Sequence, residues 1–370
     1  MATKVLAFIG TRPDANKMAP VIRALEAKPD VQCRLCVTGQ HRELLQPMLD
    51  VFGLKPDYQF DVMTEDQPAT AVLGAVMQHA RDVIAQERPD WVLVQGDTST
   101  AAAAGLAAYL ERVQLGHVEA GLRTYDKHQP FPEEVFRRIV DLMADAYFAP
   151  TERARQNLLR EGCPPDAVHV TGNTVVDALF QIRDWLAQEF PRRCPLPDEA
   201  QGKRIVLTTV HRRENFGAPL ERICDALRAI AGGLDDTAHI VCTVHPNPNV
   251  AATLRERLAG LPHLSLIEPL DYLDFVAAMQ DSYLILTDSG GIQEEAPASG
   301  KPVLVLREVT ERPEVIDAGV ARLVGSDTDT IVRETETLLR DANAYERMAR
   351  VVNPFGDGHA AERIADVLTL

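Results

Sequence analysis

The chain has 370 residues, 46% hydrophobic and 25% charged, which are globular proportions at a length that suits two domains better than one. A formal net charge of −16 argues against nucleic acid or an anionic membrane surface as a partner, and no segment approaches the roughly 20 apolar residues of a membrane span. The apolar run near the N-terminus is too short for a signal peptide, so a cytoplasmic location is expected, and any anionic ligand needs a local positive site.

The first apolar run, residues 4–9, reads as a strand ending in Gly10-Thr11-Arg12-Pro13-Asp14-Ala15-Asn16-Lys17. Pro13 and Asp14 suit the first turn of a helix, which the pattern carries through 17–27. Arg12 and Lys17 could face an anion there or remain solvated surface cations. Residues 32–38 read as a buried strand carrying Cys33 and Cys36. A Cys-x-x-Cys can be a redox pair or half a zinc site, but i and i+3 of a strand face opposite sides and no second pair follows at zinc spacing. Reduced core cysteines and no metal are expected.

A long helix over 70–87 leads to a strand over 91–95 that ends in Gly96-Asp97-Thr98. An alanine-rich helix over 99–112 leads to a strand over 114–118, which runs into Glu119. Glu133 and Glu134 follow Pro130-Phe131-Pro132 at the start of the next helix. Acidic side chains converging on one cleft suit general acid–base work, and crowding raises at least one carboxyl pKa toward neutrality. Helix capping is the structural alternative for Asp97 and Glu119, and a structural role is expected for Glu134. Short strands over 146–149 and 169–170 flank a helix over 153–161, and a helix over 175 to about 189 closes this half.

After a connector over 191–202 the alternation restarts. A strand over 205–210 ends in His211-Arg212-Arg213-Glu214-Asn215, a compact positive group. Strands follow over 240–244 and 264–267, and a strand over 283–287 runs into Asp288-Ser289-Gly290-Gly291 with an amphipathic helix expected at once. Two adjacent glycines let backbone approach a bulky anion, and a helix start offers unpaired N–H donors. Glu294 and Glu295, one turn in, could accept hydrogen bonds from ribose hydroxyls. The stretch reads as a nucleotide diphosphate cradle, with an ordinary strand-to-helix turn as the alternative, and matches neither a Walker loop nor a dinucleotide fingerprint. A strand over 302–306 is followed by Arg307 and Glu311-Arg312-Pro313-Glu314.

Near-continuous apolar strands separated by helices define an α/β chain with parallel sheets covered on both faces. The expectation is two Rossmann-like domains facing each other across a cleft, 1–190 with the acid–base residues and 191–352 with the diphosphate cradle. Residues 353–370 form a turn and a helix packing back on the first domain. Ligands of such sheets sit at the carboxyl ends of strands, where all of these residues fall.

Seven ordered motifs carry a family resemblance over nearly the whole chain. Gly10-Thr11-Arg12-Pro13, Gly96-Asp97-Thr98, His117 to Thr124, Pro130 to Glu134, Thr209 to Asn215, Asp288 to Glu295 and Glu311 to Glu314 together resemble the non-hydrolysing UDP-N-acetylglucosamine 2-epimerases. The resemblance implies a GT-B type fold, a homodimer, no cofactor, and interconversion of UDP-N-acetylglucosamine with UDP-N-acetylmannosamine. Residue by residue, it implies UDP binding by Arg12, His211, Ser289, Gly290, Gly291 and Glu295, with Phe275 and Arg312 near the uracil or diphosphate. Lys17, Asp97, Glu119 and Glu133 form the implied catalytic group, with His211 in both sets. Gln40, His41 and Glu43 resemble part of the allosteric substrate site of regulated members, although residues 64–67 lack the Arg such members carry. Asp14 stands where Glu is usual and Phe136 where Asn is usual, the latter leaving a modified UDP-sugar open as substrate.

The hydrogen at C2 of the sugar is not alpha to a carbonyl, so enolisation cannot invert that carbon, whereas elimination and re-addition of UDP can. That route needs a firm hold on the leaving diphosphate and acid–base groups on both faces of the sugar. A GT-B glycosyltransferase is the rival reading. It needs an acceptor groove in the half that here carries the carboxylates.

Overall fold

A computed structural model describes residues 2–40, 42–63, 67–188 and 195–369 of the protein. The chain divides into two compact units, Met1–Ala178 with Phe355–Leu370, and Leu179–Pro354.

In the first unit the elements are β1 (Thr3–Ile9), α1 (Arg12–Glu26), β2 (Val31–Val37), α2 (Arg42–Val51), β3 (Tyr58–Gln59), α3 (Ala69–Glu87), β4 (Trp91–Gln95), α4 (Ser99–Leu110), β5 (Gln114–Val118), α5 (Glu133–Met143), β6 (Ala146–Ala149), α6 (Glu152–Arg160), β7 (Val168–Val170) and the start of α7 (Thr174–Leu186). The strands form one parallel sheet in the order β3-β2-β1-β4-β5-β6-β7. The second unit holds β8 (Arg204–Thr209), α8 (Ala218–Gly233), β9 (Ala238–Thr243), α9 (Pro248–Leu258), β10 (Leu264–Ile267), α10 (Tyr272–Asp281), β11 (Ser282–Thr287), α11 (Gly290–Glu295), β12 (Val303–Val305), α12 (Pro313–Asp317), β13 (Ala321–Leu323), α13 (Thr328–Arg340) and α14 (Ala342–Ala349). Its parallel sheet runs β10-β9-β8-β11-β12-β13. A last helix, α15 (Ala360–Val367), packs on α1 in the first unit.

Both sheets follow the doubly wound order, so each has one point where successive crossovers leave in opposite directions. It lies between β1 and β4 in the first unit and between β8 and β11 in the second. The central strands are buried on both faces, which is why they read as unbroken apolar runs rather than alternating ones. Leu6, Phe8, Val92, Val94 and Leu115 meet Val140 and Leu158 in the first core, and Val206, Ile240, Leu284 and Leu304 meet Ile223, Leu227 and Leu254 in the second. Burying each such side chain contributes about 2 kcal/mol, against the ordering entropy of the chain.

Several boundaries differ from the sequence reading. Helix α1 begins at Arg12 rather than residue 17, because Thr11 and Asp14 form a reciprocal capping box just where Pro13 supplies a preset φ. The two-residue β3 and three-residue β13 are edge strands too short to show periodicity. The helix after Ser289 is not the amphipathic one expected. Helix α11 lasts six residues, passes into a 3-10 turn over Ala296–Ser299 that contains Pro297, and is buried nearly throughout. Cys33, Cys36, Cys163, Cys224 and Cys242 are free thiols, and burial pushes Cys36 and Cys242 up to about 12. Among the described residues no helix is long and apolar enough to cross a membrane.

Gly121, just past β5, has φ +85, and a Cβ there would lie 2.4 Å from the Ala154 carbonyl oxygen of α6. Backbone cannot yield as a flexible side chain can. Gly121→Ala is therefore expected to cost on the order of 2 kcal/mol or more, read as a lowered melting temperature by calorimetry; an unchanged melting temperature would contradict this packing.

Candidate functional site

At the crossover reversal of the first unit, strands β1 and β4 end in Gly10-Thr11 and Gly96-Asp97. The carboxylate of Asp14 gathers this region. It accepts the Gly10 N–H at 3.0 Å, the Thr11 N–H at 3.1 Å and the Thr11 hydroxyl at 2.6 Å, with the Thr98 hydroxyl at 3.4 Å. Thr98 in turn caps α4. Burial pushes the Asp14 carboxyl up to about 6, the donors around it only partly offsetting that, and the negative charge of Asp97 adds to the rise.

Asp97 and Glu119 close adjacent strands of the sheet, and each is met by a cation. Arg137 of α5 reaches Asp97 through Nε at 3.0 Å and again through Nη2, while its Nη1 holds Glu134 at 2.9 Å. Lys17 of α1 donates to Glu119, which also accepts from the Asn173 side chain at 2.9 Å. Glu119 adopts φ +67, unusual for a residue with a side chain, and its Oε1 lies 3.9 Å from where a Cβ on Gly96 would stand. The two carboxylate turns are thus neighbours. Lys17 and Glu119 are both at most 10% exposed, so removing either partner would leave a buried charge uncompensated.

Helix α5 turns a charged face inward, with Glu134, Arg137 and Asp141 all buried. Glu134 accepts the N–H groups of Thr124 and Tyr125, a structural role that matches its expectation. Glu133, in the first turn of α5, is half-buried, and its Oε2 is buried with no hydrogen-bond partner among the described residues. Phe136 packs against the apolar core of this unit. Arg12 is exposed at the start of α1, and Gln40 accepts from the Thr100 hydroxyl at 3.1 Å. His41 and the side chain of Glu43 lie outside the described residues.

The crossover reversal of the second unit is tied in the same way. Asp288, wholly buried, accepts the N–H of His211 at 3.0 Å, the N–H of Arg212 at 2.9 Å and the side-chain amide of Asn215 at 2.9 Å. Its other oxygen lies 3.2 Å from Nδ1 of His211, whose ring stacks on His245. Ser289 is the half-buried N-cap of α11, Gly290 is buried, and a Cβ on Gly291 would meet nothing within 4 Å among the described residues.

Glu294 does not offer itself to a ribose as expected. It is fully buried, and its Oε1 accepts Arg312 Nε at 2.8 Å. Arg312 also meets Glu311 at 2.6 Å, and its guanidinium would stand 3.2 Å from a Cβ on Gly290. Gly290 therefore lets Arg312 lie against the turn. Glu311, set among Arg312, Arg307 and Arg212, is lowered to about 2 although burial opposes the shift. Glu295 accepts from the Tyr272 hydroxyl, and the half-buried Phe275 follows Tyr272 by three positions on α10.

The structure thus brings Lys17, Asp97 and Glu119 together in one unit, and His211, Ser289, Gly290 and Arg312 around one pair of strand ends in the other. Sequence reasoning missed Arg137, Asn173, Asp141 and the bridging role of Asp288. Asn173 lies just past β7, at the kind of position the strand-end rule singles out. Charged residues at 134, 137 and 141 recur at helical spacing on a face that should be apolar.

Two Rossmann-like units with polar groups gathered at their strand ends define a two-unit, doubly wound protein of the GT-B type. Residues 23–369 match the family model described as UDP-N-acetylglucosamine 2-epimerase. The UDP-N-acetylglucosamine 2-epimerase of Salmonella typhimurium is 47% identical over 369 residues, covering 99% of this chain and 98% of that one. The crystal structure of UDP-GlcNAc 2-epimerase from Neisseria meningitidis bound to UDP-GlcNAc superposes with a TM-score of 0.88 at 42% identity, covering 99% of this chain and 100% of that one. The Methanocaldococcus jannaschii enzyme in complex with UDP-GlcNAc and UDP gives a TM-score of 0.82 at 33% identity, covering 99% of both chains. The chain belongs to the UDP-N-acetylglucosamine 2-epimerase family.

The raised Asp14 carboxyl has a consequence for stability. Folded Asp14 keeps its proton up to about pH 6, whereas the unfolded chain releases it near 3.8, so the folded state binds more protons between those values. Its effect is absent below about pH 4 and grows as a destabilisation while pH rises to 6. Above that it costs on the order of 3 kcal/mol, about 1.4 for each of roughly two pKa units. Asp14→Asn should flatten this part of the melting-temperature profile between pH 4 and 7; an unaltered profile would rule the assignment out.

Proposed function

We propose that this protein interconverts UDP-N-acetylglucosamine and UDP-N-acetylmannosamine by eliminating and re-adding UDP. The observation that carries the reading is the pair of cation-held carboxylates, Asp97 and Glu119, closing adjacent strands of a chain that belongs to this family. In the forward direction a carboxylate takes the C2 proton as the C1–O bond breaks. UDP leaves with the bonding electrons, and 2-acetamidoglucal forms. UDP then returns to C1 while an acid delivers a proton to the opposite face of C2. Asp97, Glu119 and Glu133 are the acid–base candidates, with Lys17 paired to Glu119.

The departing UDP must be kept in place for its return. Ser289, Gly290, Gly291 and His211 supply backbone donors and an imidazole for the diphosphate. Arg12, Phe275, Glu295 and Arg312 complete the nucleotide set. We place the reaction in the cytoplasm and keep Gln40, His41 and Glu43 only as candidates for an effector site, since residues 64–67 lack the Arg of regulated members.

We further propose a homodimer formed through the C-terminal ends of α4 and α5. These helices pack on one another and expose Tyr109, Leu110, Ile139 and Leu142, the last at 86%. Four exposed apolar side chains on one packed helix pair offer surface that a second copy of the chain can cover. Leu142→Asp should convert the protein to a monomer by light scattering after gel filtration; a wild-type monomer, or a dimer indifferent to this change, would rule the surface out.

Incubation of UDP-N-acetylglucosamine with the enzyme in D₂O should place deuterium at C2 and yield UDP-N-acetylmannosamine with no acceptor present, followed by proton NMR. Asp97→Asn and Glu119→Gln should each slow turnover by about 10²-fold or more while UDP still binds. Sugar transfer without C2 exchange would point instead to a glycosyltransferase.

A further inference from the structure

We propose that His117, locked as an imidazolium between Asp141 and the Gly96 carbonyl, is a positioning residue that sets both Asp97 and Glu119. The inference rests on the acid–base reading of those two carboxylates. His117 lies on β5, two residues before Glu119, with its ring wholly buried. Nε2 is 2.8 Å from the Gly96 carbonyl oxygen, and Nδ1 is 2.6 Å from Oδ1 of Asp141.

A backbone carbonyl has no hydrogen to give, so Nε2 must donate. Asp141 is an anion. Its Oδ2 accepts the Gly121 N–H at 3.2 Å and meets Arg123 Nη2 at 2.7 Å, and Arg123 is itself held by Glu161 at 2.9 and 2.8 Å. Burial acts to raise the Asp141 carboxyl, but His117 and Arg123 together hold it below the usual carboxylate range. Nδ1 must therefore donate as well, and a ring with two N–H groups carries a positive charge. Tyr147 and Cys163 also lie within the field of Asp141, and Asp145 acts on Tyr147. Burial pushes both the phenol and the thiol up, so neither competes as an anion.

The two hydrogen bonds reach two different turns. One fixes the carbonyl of Gly96, whose φ is +65, and so the peptide that leads into Asp97. The other fixes Asp141, which holds the backbone N–H of Gly121 two residues beyond Glu119, itself at φ +67. A neutral ring has one N–H and so loses one of these two hydrogen bonds, loosening the turn behind it. Displacing a catalytic carboxylate by even about 1 Å is enough to cost up to roughly 10²-fold in rate.

The charge can be read directly on the full-length wild-type protein labelled with ¹⁵N-histidine. One of the ten histidines, identified by its loss in His117→Gln, should show both ring nitrogens protonated in the folded protein, as its two acceptors require. An unprotonated nitrogen on that ring overturns the proposal. In parallel, Asp141→Asn should lower kcat by about tenfold or more with KM within about threefold. A loss confined to melting temperature, with kcat of the folded protein unchanged, overturns it too. If Asp141→Asn fails to fold, the ring measurement on the wild type decides alone. Absence of C2 deuterium exchange in the wild type would sink the epimerase reading, whereas the charge of His117 would still be decided by its own spectrum.

Discussion

A doubly wound sheet has an intrinsic weakness where its crossovers part. Two neighbouring strands end side by side, their chains leave in opposite directions, and backbone N–H groups there have no strand to pair with. In both units of this protein a buried carboxylate takes them up. Asp14 accepts the N–H groups of Gly10 and Thr11 and reaches Thr98 across the gap, and Asp288 accepts those of His211 and Arg212 together with the Asn215 amide. Arg12 and Lys17 follow directly on the first of these knots, and His211 and Ser289 flank the second. The solution is the same although the carboxylate comes from the first helix in one unit and from the fourth strand's end in the other.

The second theme is neutralisation in advance. In a chain with a formal charge of −16, several of the cations near the candidate sites already have anionic partners. Lys17 is bound to Glu119, Arg137 is shared by Asp97 and Glu134, and Arg312 by Glu294 and Glu311. Such pairs carry a large desolvation cost, so their net contribution to stability is small; what they supply is fixed geometry. A carboxylate held this way can exchange a proton without first having to find its place.

How much of this is legible from residues alone depends on distance along the chain. The strand ends are legible because an apolar run and the turn that stops it are local, and Asp97, Glu119, His211 and Ser289 all follow from that rule. Partnerships are not. Lys17 and Glu119 stand 102 positions apart, and Arg137 and Asp97 stand 40 apart. Glu294 illustrates the limit well: local reasoning places it one turn into a helix facing a ligand, and only the arrival of Arg312 from the next loop turns it inward. The charged inner face of α5 was hidden for a different reason. A helix with Glu134, Arg137 and Asp141 on one side reads as solvated unless something shows that this side meets the sheet.

The division of the chain also bears on biosynthesis. The second unit is inserted within the first, so residues 355–370 emerge from the ribosome only after the whole of 179–354. Those late residues reach back into early structure. The Phe355 carbonyl takes the N–H of Asn173 at 2.7 Å, and Asp177 takes the N–H of Ala361 at 2.8 Å. Asn173 is the residue whose side chain steadies Glu119. A nascent chain can therefore assemble both sheets and still lack a fully seated Glu119 until residues 355–370 have been made and docked.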